Sequence, residues 1–175
     1  MKILLIRHGE TTGDINGQYG GWFDDHLTEL GQKQLQKTAQ QLRGVSIDKI
    51  FSSTLIRAKE STEIINKEVQ AEVEFLDGLR ERNYGVLGGL TKEEALDKYP
   101  EAVEAHKDPS NTDPKGEPQA DFIKRVVDAF ASICLQSHNT VVIVAHGGPI
   151  KVILTHLSLP LPERIGDGEI IEVNC

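Results

Sequence analysis

Residues 140–145 read TVVIVA, six positions without a charge and with apolar or β-branched side chains facing both ways. A strand with one solvated face alternates apolar and polar residues, whereas a strand covered on both faces reads as a continuous apolar run. TVVIVA therefore predicts a central parallel strand with helices above and below it. Outward from it, Lys2–Ile6, Asp48–Ser52, Glu169–Val173 and the weaker Glu72–Phe75 are further strand candidates. Longer segments with helical spacing lie between them, at 28–43, 54–67, 91–99, 121–136 and 149–157. Thr28 is placed to cap the first helix and Gly44 to stop it. Phe122, Val126, Phe130 and Ile133 trace one apolar stripe along the fourth. Short strands alternating with amphipathic helices predict one domain over residues 1–175, a three-layer α/β/α sandwich around a mostly parallel sheet. The polar stretch between Tyr99 and Gln119 holds Pro100, Pro109, Pro114 and Pro118 and reads as a long surface loop or lid.

A chain of 175 residues buries a substantial core without help from metals or disulfides. Its 19 Lys and Arg against 27 Asp and Glu give a net charge of −8, and no basic cluster stands out. That balance argues against nucleic acid or an anionic membrane as the main partner. The apolar run Ile3–Ile6 is too short for a secretion signal or a membrane span, so the expectation is a cytoplasmic protein, monomer or homodimer. Cys134 and Cys175 form no CxxC pair and no spaced framework. They are expected to be a core thiol and a tail thiol in a reducing compartment.

In a mostly parallel sheet, ligands bind outside the carboxyl ends of the strands, where loops and helix N-termini converge. His8 follows KILLIR and His146 follows TVVIVA, each succeeded by glycine, as RHGE and AHGGP. Glycine in such a turn lets backbone N–H groups approach an anion, which brings in Gly147. In SSTLIRAKEST (52–62), Arg57 falls in the first turn of a helix, an unfavourable place for a cation unless it shares an anion with the helix dipole. In LRERNYGVLGGL (79–90), Glu81 stands amid glycines and an aromatic. Taken singly, each has an ordinary explanation: a satisfied strand-end histidine, a solvated arginine, a glutamate paired with Arg80 or Arg82. Two histidines in equivalent positions, one beside Arg7, favour an anion site, and that company makes Glu81 a proton-transfer candidate.

These blocks, RHGET (7–11), SSTLIRAKEST (52–62), LRERNYGVLGG (79–89), GEPQADFIKRV (116–126) and VVIVAHGG (141–148), span nearly the whole chain. In that order they resemble the histidine phosphatase superfamily, also called the phosphoglycerate mutase-like family. The resemblance implies that His8 is a nucleophile forming a phosphohistidine and that Arg7 and Arg57 clamp the phosphoryl oxygens. His146 would face an equatorial oxygen as an imidazolium, and Glu81 would protonate the leaving oxygen and then deprotonate the acceptor. Such a cage of cations needs no metal.

GGWFDDHLTELG (20–31) and ERNYGVLGGLTK (81–92) look more like the mutase branch, in which the positions of Tyr84 and Lys92 line the substrate site. The stretch EAVEAHKDPSNTDP (101–114) lacks the arginine pair that mutases carry there, and Gly148 stands where they have Asn. The chain is also shorter than a typical mutase. The resemblance therefore implies first a phosphomonoesterase without a cofactor, acting on a small phosphomonoester and releasing inorganic phosphate. The alternative is a phosphoglycerate mutase primed by a bisphosphoglycerate. Asp14 occupies a position near the phosphate where the family commonly has Asn. A carboxylate about 4 Å from a phosphate charge would be repelled by roughly 4 kcal/mol at an effective dielectric of 20. Asp14 must then turn away, be protonated or pair with a cation, and Asn16 is a candidate for the missing amide. A third reading, a phosphate-ester binding module with little turnover, follows from the same residue. Thr11, Asp14, Asn16, Tyr84, Lys92 and Gly147 are candidate substrate contacts, and Trp22 is either another or a loop anchor packed on the core.

Overall fold

Four strands run parallel in the computed structural model, which describes residues 1–175: β1 (Lys2–Arg7), β2 (Lys49–Ser53), β3 (Glu72–Leu76) and β4 (Thr140–Ala145). A fifth, β5 (Ile170–Asn174), pairs antiparallel with β1 at the sheet edge. The spatial order β3-β2-β4-β1-β5 puts TVVIVA in the middle, as its two-sided apolar pattern requires. The helices are α1 (Thr12–Ile15), α2 (Glu29–Gln41), α3 (Ile56–Val69), α4 (Lys92–Lys98), α5 (Pro100–His106), α6 (Gln119–Cys134) and α7 (Gly147–His156).

The period of two along β1 separates the layers. Ile3 and Leu5 pack with Phe122, Val126, Ile150 and Ile153 of α6 and α7. Leu4 and Ile6 point the other way, onto Leu35 of α2 and Ala58 and Ile65 of α3. The fold is therefore the mixed α/β sandwich the sequence predicts, with its carboxyl-end rim formed by three neighbouring strands, β2, β4 and β1.

Two expectations are corrected. Residues 100–119 are not loop throughout, because α5 occupies Pro100–His106. Proline breaks a helix in its interior, but Pro100 sits in the first turn, where no backbone N–H is required, and Ala102 packs with Leu87 and Ala95. The cysteines are not free thiols either: Cys134 and Cys175 are joined by a disulfide, their Cα atoms 6.0 Å apart. The end of α6 and the residue after β5 become neighbours only through the fold, so no local spacing announces the pair. No helix is long and apolar enough to cross a membrane.

Candidate active site

Because β1, β2 and β4 are adjacent and parallel, their carboxyl ends bring together Arg7 and His8, the Ser53–Arg57 turn into α3, and His146 at the start of α7. Beside them is a cavity of about 440 Å³, lined among others by Arg7, His8, Arg57, Glu81 and Gly147. Gly9 lets β1 exit against α2, since a side chain there would overlap Leu35 and the Gly31 carbonyl.

His8 is nearly fully buried, and its Nδ1 lies 2.8 Å from the Gly9 carbonyl oxygen. A carbonyl only accepts, so Nδ1 carries the proton and Nε2, with no partner in the protein, keeps its lone pair. Burial, then Arg57, holds the His8 pKa well below 6.5, with Arg7 adding to this and the Gly9 bond opposing it. The ring is thus a neutral, oriented nitrogen base.

His146 is placed differently from the expected imidazolium. Arg57 Nε–H donates to its Nδ1 at 3.2 Å, and its Nε2–H donates to Ser53 Oγ at 2.7 Å. Both ring nitrogens are committed inside the protein, and burial followed by Arg57 lowers the pKa well below 6.5. The ring lies 5.1 Å from that of His8, centroid to centroid, and backs Arg57 rather than offering a charge of its own. Arg57 itself donates from Nη1 to the Phe23 carbonyl (2.8 Å) and Asp25 (2.9 Å), and from Nη2 to the Gly21 carbonyl (2.8 Å). With Nε on His146, four of its five N–H donors are committed, leaving one on Nη2. Arg57 therefore supplies a fixed, buried charge more than a two-pronged clamp.

Arg7 is freer. Its Nη1 donates to the Ile165 carbonyl at 2.7 Å and lies 3.2 Å from Asp167, while its buried Nε has no protein partner. Burial pushes the Asp167 carboxyl up and the Arg7 charge pulls it back down. Both contacts come from the segment before β5, whose antiparallel run returns it to this rim.

Glu81 is held from two sides. Oε1 accepts the Arg82 N–H at 2.8 Å and Oε2 the Gly148 N–H at 2.9 Å. Its carbonyl accepts from Trp22 Nε1 (2.7 Å) and Arg125 Nη2 (2.8 Å), and Arg125 is itself paired with Glu117. The block GEPQADFIKRV thus braces the Glu81 loop. No group of three or more His, Cys, Asp or Glu side chains is placed to hold a metal ion.

This arrangement sets an oriented imidazole nitrogen beside two guanidinium charges and a carboxyl group in one cavity. A sequence model of the histidine phosphatase superfamily (branch 1) matches residues 3–169. The chain belongs to the histidine phosphatase superfamily. Among superfamily relatives, the Bacillus subtilis (strain 168) protein described as "uncharacterized phosphatase PhoE" is 32% identical over 162 residues, covering 92% of this chain and 79% of that protein. The 2,3-bisphosphoglycerate-dependent phosphoglycerate mutase of Cytophaga hutchinsonii is 29% identical over 170 residues, covering 93% and 80%. The alpha-ribazole phosphatase of Shigella flexneri has a similar structure, with a TM-score of 0.90 at 26% identity, covering 99% of this chain and 90% of that one. The superfamily thus supplies both phosphatases and mutases as relatives.

The remaining candidate contacts divide. Thr11, Asp14 and Tyr84 line the cavity with Gly147, whereas Asn16, Trp22 and Lys92 do not. Asp14 turns its carboxylate to the backbone N–H and hydroxyl of Thr11, both at 2.9 Å, in a capping box that starts α1. Asn16 ends that helix on the outside, and Trp22 anchors the Glu81 carbonyl. The Tyr84 phenol is pushed up, first by the Glu81 charge and then by burial, so it stays protonated. Sequence reasoning missed Asp25, Lys151, Arg164 and Asp167. Lys151 lies one helical turn after Gly147, on the face of α7 that meets the cavity, and that spacing was its only available signal.

Proposed function

We propose that this superfamily member is a metal-independent phosphomonoesterase that forms a phosphohistidine on His8 and acts on a small phosphorylated metabolite. The observation that carries the reading is the orientation of His8, with Nδ1 tied to the Gly9 carbonyl and Nε2 free in a cavity that also presents Arg7, Arg57 and Glu81. In the first step Nε2 attacks phosphorus, the P–O ester bond breaks, and Glu81 gives its proton to the departing oxygen. The positive charge that develops on the imidazole is shared through Nδ1–H with the Gly9 carbonyl. Arg7 and the remaining Nη2–H of Arg57 stabilise the equatorial oxygens. In the second step Glu81 takes a proton from water, the water oxygen attacks phosphorus, and the N–P bond breaks to free phosphate and His8.

Hydrolysis is favoured over mutase action by Gly148. Gly148 departs from the mutase pattern, and a side chain at that position would oblige the Glu81 carboxylate to shift from the place it holds here. The stretch 101–114 also brings no arginine to hold a glycerate carboxylate. The test is phosphate release from a panel of phosphomonoesters in the presence of EDTA, beside a mutase assay with 3-phosphoglycerate and a bisphosphoglycerate primer. His8-dependent release without isomerisation is expected. Efficient isomerisation with little release would overturn the reading in favour of a mutase, and no turnover of either kind would favour a binding module.

A further inference from the structure

A second cavity, of about 540 Å³, adjoins the first, and the two share Glu81, Tyr84, Gly148 and Lys151. If Glu81 meets the leaving oxygen, the group attached to that oxygen extends past Glu81 into this second space. Its wall is unlike the first: α6 and α7 present Phe122, Ile123, Val127 and Val152. The arginine beside it, Arg82, is committed to the carbonyls of Pro109, Asn111 and Glu117. Asp108 contributes a negative charge, its carboxyl held below the usual range by the backbone N–H and hydroxyl of Ser110. The other cation, Lys151, is shared with the phosphoryl cavity. Charge in this cavity is therefore mixed, with the Asp108 carboxylate set against Lys151 and an arginine that has three of its five N–H donors already taken, and the apolar wall decides what fits.

Among the polar groups that line this cavity, His106 is fixed with one ring nitrogen to spare. His106 Nδ1 lies 2.8 Å from the buried Asp113 carboxylate, and its ring stands edge-on to Tyr19 and Tyr84 at 5.2 and 4.7 Å. The Asp113 carboxylate fixes the ring and leaves Nε2 without a protein partner. An apolar wall of four side chains with an oriented histidine nitrogen beside it selects by shape and hydrogen bonding.

We infer that the second cavity receives the leaving alcohol and takes an uncharged, largely apolar or aromatic one, with Nε2 of His106 as its polar contact. The inference rests on the phosphomonoesterase reading of the His8 cavity, and its test separates the two. Calorimetric titration of the full chain with n-alkylphosphonates from methyl to hexyl reads the cavity without hydrolysis, and kcat/KM for the matching alkyl phosphates reads it during turnover. Affinity is expected to rise roughly fourfold per methylene until the cavity is filled. 3-Phosphonopropionate should bind at least tenfold more weakly than propylphosphonate. Ile123 is 41% exposed, so Ile123→Asp alters the wall without opening the core, and it should flatten the gradient. His106→Phe should weaken a 6-hydroxyhexyl analogue two- to tenfold more than the hexyl compound. A flat series, or a carboxylate analogue that binds as well as the alkyl one, overturns the inference. Graded phosphonate binding with no phosphate release from any ester supports the cavity's preference for an uncharged apolar group but overturns the phosphomonoesterase reading, and with it the assignment of that group as a leaving alcohol.

Discussion

The Glu81 carboxylate and the backbone N–H of Gly148 meet at 2.9 Å, across 67 residues of chain, in a space that a side chain at position 148 would invade. Introducing the mutase residue, Gly148→Asn, should drive the carboxylate out of its place. General acid–base catalysis is worth about 10²–10⁴ in rate, so kcat/KM should fall by about a hundredfold or more. The double variant with Glu81→Gln should be little worse than Glu81→Gln alone, because both changes remove one function. Additive losses would mean that Gly148 acts through something other than Glu81.

His8 and His146 both have pKa values pushed well below 6.5, first by burial and then by Arg57. Attack requires neutral His8, so the acid limb of kcat/KM, corrected for the second ionisation of the substrate near pH 6, should lie below pH 6.5. In the unfolded chain both rings take up protons near pH 6.5, whereas the native rings resist until lower pH. Stability is therefore fully present above pH 6.5 and is lost as pH falls toward the lowered native values. Urea unfolding at pH 7.5 and 5.5 checks this, and the pH dependence should be smaller in His146→Asn. An equal slope in that variant would mean the ring is not held neutral by the fold.

The sandwich was readable because its central strands β1 and β4 are apolar on both faces and α6 carries one apolar stripe, patterns that any buried layer imposes. His8, Arg7, Arg57, Glu81 and His146 were readable because each sits at the end of a strand candidate or in a quoted block. What escaped depends on proximity that only folding creates: Asp25 meets Arg57 across 32 residues, and Asp167 reaches Arg7 because β5 runs backwards. The hydrogen-bond partners of His146 escaped for the same reason, since Ser53 and Arg57 decide which of its nitrogens carries the proton.

Arg57 and Asp25 form an ion pair with each side chain only 4% exposed. Removing one partner of a buried pair leaves an uncompensated charge and costs about 3–5 kcal/mol. Asp25→Ala should therefore lose stability on that scale in urea titrations. Inorganic phosphate should restore more stability to this variant than to the parent protein, because an anion in the cavity replaces the lost negative charge beside Arg57. Equal phosphate stabilisation of both proteins would show that Arg57 does not feel the bound anion.

Asp14 lines the His8 cavity yet is exposed and turned to Thr11, so water would screen most of its repulsion of a bound phosphate. Screened charge pairs are worth about 0.5–1 kcal/mol, which sets the expected gain for Asp14→Asn at about two- to fivefold in kcat/KM at pH 7.5. The amide oxygen of Asn can still accept from the Thr11 N–H, so α1 should persist. Unchanged or lower activity in a folded variant would place the Asp14 charge out of reach of the phosphate.

The disulfide between Cys134 and Cys175 spans a sequence separation of 41 and fastens the far end of β5 to the end of α6. Closing a loop of that size stabilises a fold by about 2–4 kcal/mol. Reduction, or Cys175→Ser, should accordingly lower Tm by roughly 4–16 °C for a domain of this size. Activity at 25 °C should change less than twofold, because the bond lies at the opposite end of β5 from Ile170, which pairs with Ile6 beside the site. Thiol titration of the unfolded, unreduced protein should find no free thiol, and after reduction two. A large loss of activity on reduction at a temperature where the protein stays folded would show that the segment carrying Ile165 and Asp167 depends on the bond to hold Arg7.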